Sequence, residues 1–164
     1  MRFELNSRAC FALSLLGCIG LLLTALYLQY HLGQEPCPLC IIQRICLLIA
    51  LLIALCAMLH NAQGWGRRGY ALGLLLMTAF GAVTAMRQVW LQYMPADQLP
   101  SCLPSLDYMI HALPFQEILG LLLYGTAECA EVSWTLLGLS IACWSLMALI
   151  GLFVVALVAL LRRE

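Results

Sequence analysis

The sequence predicts an all-α membrane protein, a four-transmembrane-helix bundle with a short interfacial helix in the second outer loop. Three observations lead there. Hydrophobic residues make up 64% of the 164 and charged residues only 10%, against roughly 45–50% and about 25% in soluble domains. A water-soluble core of this size has no room for that much apolar side chain, so the solvent must be lipid. Four segments, residues 9–30, 41–59, 69–89 and 137–161, are apolar for long enough to cross a hydrocarbon core. The charges that remain cluster between and beyond those segments.

The first segment follows Arg2 and Arg8 and has the outline of a secretory signal. Its apolar run is too long and no small-x-small cleavage site closes it, so it reads as a retained helix. Arg67 and Arg68 then fall between the second and third segments, and Arg162 and Arg163 follow the fourth. In a four-span topology these locations share one side, which the positive-inside rule makes cytoplasmic. Both termini are therefore expected inside, and the loops over 31–40 and 90–136 outside. The acids Glu35, Asp97, Asp107, Glu117, Glu128 and Glu131 fall in those outer loops. The whole chain, 1–164, reads as one integral membrane domain.

Arg44 and Arg87 break the pattern, since both lie at outer ends of spans. Either they snorkel to headgroups or a functional role keeps them there. The long second loop is interrupted by Pro95, Pro100, Pro104 and Pro114. Within it, residues 115–124 are apolar but too short to span, which suggests a helix lying on the membrane surface or packed on the bundle rim.

The nine cysteines divide by depth. Cys10, Cys18, Cys46, Cys56 and Cys143 lie in or beside spans, where a thiol packs as a small apolar residue. Cys37, Cys40, Cys102 and Cys129 lie in the outer loops. Four loop cysteines in an oxidising compartment imply disulfides, with three possible pairings. One bond per loop, Cys37–Cys40 and Cys102–Cys129, is the favoured arrangement. Zinc fits poorly, because structural zinc sites use two short Cys pairs and Cys102 and Cys129 are far apart, so no metal is expected.

A Cys37-Pro38-Leu39-Cys40 ring closes too little chain to serve chiefly as a staple. Short rings of this kind more often cycle. A helix starting near Leu39 or Cys40 would put Cys40 in the positive field of its N-terminus. Arg44, at i+4, would lie on the same face and could support a thiolate or an oxygen-bearing ligand. The electrons from such a dithiol need an acceptor. No Gly-x-Gly-x-x-Gly is visible for a dinucleotide, and Ile41 follows Cys40 where haem attachment needs His. A lipid-soluble quinone needs only a groove between helices, with Arg44 as its polar anchor.

Cys-Pro-Leu-Cys-Ile-Ile-Gln-Arg ending at Arg44, Arg-Gln-Val-Trp-Leu-Gln from Arg87, and Glu-Cys-Ala-Glu from Glu128, with Trp134 and Leu137-Gly138-Leu139, resemble the disulfide bond formation protein B (DsbB) family. The resemblance covers essentially the whole chain. It implies a bacterial inner-membrane oxidase that regenerates a periplasmic thioredoxin-fold dithiol oxidase, DsbA, and passes the electrons to a quinone. Ubiquinone is the first expectation and menaquinone the second. By the same resemblance Cys102 would hold the mixed disulfide with the partner, and Cys129 would be its mate. Cys129 would pass electrons to Cys37, freeing Cys40 to meet the quinone. Arg44 matches the family's quinone-site arginine. Some members carry histidine where this chain has Gln88; an amide can hydrogen-bond a carbonyl but cannot carry a proton. Arg87 and Gln88 are thus secondary quinone-site candidates. His31, His60 and His111 read as solvated.

Two competing readings stand beside this one. One is a paralogue serving a different thiol protein. The other is a non-catalytic four-span scaffold whose loop disulfides are structural.

Overall fold

The computed structural model describes residues 7–34, 36–61, 63–95, 114, 116, 120, 123–132 and 134–162. Four long helices dominate: α1 (Ser7–Leu32), α2 (Pro38–His60), α3 (Trp65–Gln92) and, after a short α4 (Ala127–Ala130) and a two-stranded hairpin β1 (Thr135–Leu136) and β2 (Leu139–Ser140), α5 (Ile141–Leu161). Each long helix is long and apolar enough to cross a membrane. They close a ring in which α1 packs on α2, α2 on α3, α3 on α5 and α5 back on α1.

The bundle turns small residues inward and large ones outward. Ala50, Ala54 and Ala57 of α2, Ala71 and Ala85 of α3, and Ala156 and Ala159 of α5 are buried, while Leu16, Leu23, Leu52 and Val83 are exposed. This is the pattern expected in lipid, where helices gain nothing by hiding leucine and associate through close packing. Gly17 and Gly81 mark the tightest approaches. A Cβ at Gly17 would lie 2.9 Å from Leu152 Cδ2, and one at Gly81 3.1 Å from Leu149 Cδ2.

At the end of the bundle opposite the cysteine loops, Arg67 is buried among three helices. Its guanidinium donates to Ser7 Oγ of α1 at 2.8 Å and to the Arg162 carbonyl beyond α5 at 2.6 Å. The cation thus ties the start of α3 to the other two helix ends. Charge-assisted hydrogen bonds contribute roughly 1.5–3 kcal/mol each. Arg67→Ala is therefore expected to destabilise the bundle by at least about 2 kcal/mol, seen as a lower unfolding midpoint in detergent. An unchanged midpoint would make the arginine a topology signal alone.

Several helix boundaries differ from the sequence expectation. Helix α2 starts earlier, at Pro38, with Cys37 as its N-cap residue in extended backbone. Proline suits the first helical position because its missing N–H would have no partner there. Helix α1 runs on through His31, so this residue is helical and not in a loop; it is exposed, as expected, and its ring stacks on Tyr27 at 4.8 Å. His60 likewise has a partner, with Nδ1 2.6 Å from Tyr70 OH; His111 lies outside the described residues.

The fourth span begins at Ile141, not at Leu137, because the intervening residues form the β1–β2 hairpin. Leu137 and Gly138 both have positive φ, the signature of a tight hairpin turn. Hydropathy cannot separate such a short apolar strand from the first turn of a helix. Of the surface helix expected over 115–124, the described residues Gln116, Gly120, Leu123 and Tyr124 are helical, and the remainder lie outside the described residues.

Candidate redox site

Three of the four loop cysteines meet at the start of α2. Cys37, at the N-cap, is nearly buried, and its Sγ lies 3.1 Å from Cys40 Sγ one turn on. Cys129 on α4 is fully buried against the same place and shares a hydrogen bond with Cys37. Leu39 and Leu91, each fully buried, form the floor of this cluster. Cys102 lies outside the described residues.

The approach of Cys129 depends on a glycine. Gly125 has φ +81°, and a Cβ there would fall 2.6 Å from Leu91 Cδ1 and 3.1 Å from Leu39 Cδ1. Both the left-handed backbone and the close packing require glycine. Buried Thr126 then caps the turn, with the Cys129 amide donating to its carbonyl at 2.9 Å.

The helix-terminus effect expected at Cys40 extends to a second sulfur. Leu39, in the first turn of α2, directs its backbone amide at Cys129 Sγ. Such first-turn amides have no partner within the helix and favour an anion. The Cys129 thiol is accordingly pulled down to about 6, chiefly by its hydrogen bond with Cys37. Burial opposes this, and the Thr126 and Leu39 amides reinforce it. Cys37 moves the opposite way, held protonated well above the usual thiol range by its hydrogen bonds to Cys129 and Cys40 and by burial.

A thiol titrating near 6 is mostly ionised at pH 7, against a few per cent for an ordinary cysteine. With Cys37 reduced, so that its thiol can donate to Cys129, the rate at which Cys129 attacks a small added disulfide should therefore rise as pH increases through about 6 and then level off. Quenched-flow exchange measured between pH 5 and 9 checks this. A rate still climbing steeply between pH 8 and 9 would mean the sulfur is not activated.

The amide of Gln88, from α3, faces the sulfur pair. Its Nε2 lies 3.3 Å from Cys40 Sγ and 3.6 Å from Cys37 Sγ, and its Oε1 accepts from Gln43 Nε2 at 2.9 Å. Gln43 was not singled out as a site residue from sequence. Its signal was a neutral polar side chain entering an apolar run three residues after Cys40, hence on the same helical face.

Arg44 does not flank the Cys40 sulfur as its i+4 spacing suggested. Its guanidinium turns to α1, donating to Gln29 Oε1 and, at 3.0 Å, to the Ala25 carbonyl. A long side chain at i+4 can leave the shared face when a neighbouring helix offers acceptors. Arg44 still lines a cavity of about 390 Å³ together with Cys40. Gln43, Gln88 and Gln92 supply polar lining at the sulfur end, and Leu21, Leu47 and Leu149 form apolar walls. Arg87 lies away from this cavity. Its guanidinium reaches the Tyr124 carbonyl at 3.3 Å and stands 5.2 Å from the Tyr124 ring, which holds the returning loop onto α3.

The spanning helices were expected to bury their thiols as packing. Cys10, Cys18 and Cys46 do so, Cys143 is half-buried, and Cys56 is exposed on the bundle surface. Among the described residues no cluster of three or more Cys, His, Asp or Glu is arranged to hold a metal ion.

Fold and site together define a multi-pass membrane protein built around a cluster of closely packed thiols. A family model described as disulfide bond formation protein DsbB matches residues 7–159. The chain is 56% identical over 159 residues to disulfide bond formation protein B of Stutzerimonas stutzeri, covering 97% of this chain and 98% of that one. It is 49% identical over 158 residues to disulfide bond formation protein B 1 of Pseudomonas aeruginosa, covering 96% and 97%. A Hahella chejuensis relative of the same name is 49% identical over 159 residues, covering 97% and 96%. The chain belongs to the DsbB family, and its role is that of a membrane oxidoreductase in disulfide bond formation.

Proposed function

We propose that this protein reoxidises a periplasmic thioredoxin-fold dithiol oxidase of the DsbA type and passes the electrons to a membrane quinone, ubiquinone or menaquinone. The observation that carries the reading is the position of Cys37. One sulfur contacts both Cys40 and Cys129, so it can exchange its disulfide partner without a large movement. The arginines at residues 2, 8, 67, 68, 162 and 163 support an inner-membrane orientation with both termini cytoplasmic.

In this reading the partner's thiolate opens the Cys102–Cys129 bond and holds Cys102 in a mixed disulfide. The released Cys129 thiolate attacks Cys37 of the Cys37–Cys40 bond. The Cys37–Cys129 bond forms, the Cys37–Cys40 bond breaks, and Cys40 leaves with the electron pair. The Leu39 and Thr126 amides, which remain in place when Cys37 is oxidised, favour the Cys129 thiolate, and exchange requires a thiolate and an accessible sulfur. The partner's second thiol then attacks the mixed disulfide, forming the partner's own disulfide and releasing Cys102 as a thiolate. Cys102 attacks Cys129 of the Cys37–Cys129 bond, and Cys37 leaves, takes up the proton given up by the partner's second thiol and returns to a thiol beside Cys40. Quinone supplies the oxidising power that re-forms the Cys37–Cys40 bond, taking two electrons, the Cys37 proton and one further proton.

The cavity beside Cys40 suits such a molecule. Arg44, Gln43, Gln88 and Gln92 offer donors for ring carbonyls, and leucines line the rest. A largely apolar pocket with a few placed polar groups is typical of small-molecule sites.

Purified protein should reduce a soluble quinone when given a reduced thioredoxin-fold dithiol oxidase, and no turnover would exclude the reading. Arg44→Met is expected to slow quinone reduction by about tenfold or more while leaving exchange with the partner nearly unchanged. Equal loss of both half-reactions would mean that Arg44 acts only as a clamp between α1 and α2.

A further inference from the structure

Among the described residues no cation lies at hydrogen-bond distance from Cys40, yet the proposed relay requires this sulfur to leave a disulfide as an anion. The groups placed on its sulfur are the Cys37 thiol at 3.1 Å, the Cys37 backbone amide and the Gln88 amide nitrogen at 3.3 Å. Gln88 and Gln43 are both more than nine-tenths buried, on neighbouring helices. Gln43 Nε2 donates to Gln88 Oε1 at 2.9 Å, which fixes the direction of the Gln88 amide. With its oxygen engaged, Gln88 turns its NH₂ toward the sulfurs. A protonated Cys40 would have to donate to that same oxygen, at 3.6 Å, in competition with Gln43. The arrangement therefore favours a sulfur that accepts over one that donates.

We infer that Gln43 and Gln88 form an oriented amide pair that stabilises the Cys40 thiolate released on exchange, with Gln88 the donor to the sulfur and Gln43 the positioning residue. The inference rests on the sulfur relay proposed above and deepens it. The step is balanced within the chain. The Cys129 thiolate and the Cys37–Cys40 disulfide become the Cys37–Cys129 disulfide and the Cys40 thiolate, with one negative charge on each side. The pair acts on the position of this equilibrium. Cys129 is stabilised by the Leu39 and Thr126 amides and Cys40 by Gln88, so the two anions compete. A neutral donor also avoids the cost of burying a second unpaired charge. Arg44 is left for the cavity and for α1.

The full-length chain with Cys102→Ser, prepared without quinone or partner and holding one disulfide among Cys37, Cys40 and Cys129, tests this directly. Acid quenching, alkylation and peptide mapping give the ratio of Cys37–Cys129 to Cys37–Cys40. Gln88→Leu should lower that ratio about tenfold, the size of one hydrogen bond to a charged group. Gln43→Glu provides a readout that a merely structural role would not produce. Its carboxylate accepts the Gln88 NH₂ and turns the Gln88 oxygen toward sulfur, so the ratio should fall as in Gln88→Leu. When the carboxyl is protonated it can donate as Gln43 does, and the ratio should return to that of the parent. A parental ratio in Gln88→Leu, or a pH-independent ratio in Gln43→Glu relative to the parent, overturns the amide pair. No detectable Cys37–Cys129 bond in the Cys102→Ser parent at any pH would instead overturn the relay and the pair with it.

Discussion

Cys37→Ser is expected to abolish quinone reduction driven by the thiol partner, by a thousandfold or more on the order seen when a group acting in every step is removed. Cys37 belongs to both disulfides of the proposed relay, since its sulfur contacts Cys40 on one side and Cys129 on the other. Serine nearly matches cysteine in size, and the position is only 9% exposed, so packing should change little. Thermal unfolding of the variant should stay close to that of the parent while turnover disappears. A scaffold with structural loop disulfides predicts the reverse, a lowered midpoint and no activity in either protein. Retained turnover in Cys37→Ser would remove the relay, because neither Cys40 nor Cys129 would then have the partner this geometry provides.

The second large effect is expected at a residue that carries no reactive group. Gly125→Ala places a methyl 2.6 Å from Leu91 Cδ1 and 3.1 Å from Leu39 Cδ1, at φ +81°. Both leucines are fully buried, so they have little room to yield, and overpacking of this kind typically costs about 1–3 kcal/mol. The chain can relieve the clash most readily by lifting the Gly125–Cys129 segment away from α2. That movement takes Cys129 from Cys37 and from the Leu39 amide together. The expected result is a ten- to hundredfold slower exchange between the two cysteine pairs, by roughly the same free energy. Reduction of quinone by a small dithiol acting directly on Cys37–Cys40 should be nearly unaffected. Equal slowing of both reactions would show that Gly125 supports the fold and not the approach of Cys129.

The four spans were legible because a lipid solvent leaves a coarse signal, namely long apolar runs separated by arginine. Cys37 and Cys40 were legible for a similar reason, since a spacing of three residues is local and helix α2 carries it intact into the structure. Arg44 was legible as a polar group at the outer end of α2, where it lines the cavity beside Cys40, but its direction was not. Spacing along α2 placed it beneath Cys40, whereas Gln29 and the Ala25 carbonyl on α1 draw it sideways. Arg87 followed the same rule, turning to Tyr124. The hairpin before α5 was hidden because Leu136, Leu137 and Leu139 read as the start of an apolar span, and only the positive φ at Leu137 and Gly138 reveals the turn.

The sequence by itself determined the lipid environment, the number of spans and the closely spaced cysteine pair at the start of α2. These depend on composition and on local spacing, which survive any arrangement of the helices. Only the tertiary structure decided how Cys129 is held against Cys37, that the amide of Leu39 serves Cys129, and that Gln43 and Gln88 supply the amide facing Cys40. Those contacts join residues far apart in the chain. They depend on how closely α2, α3 and the returning loop pack, and no spacing along the sequence encodes that distance.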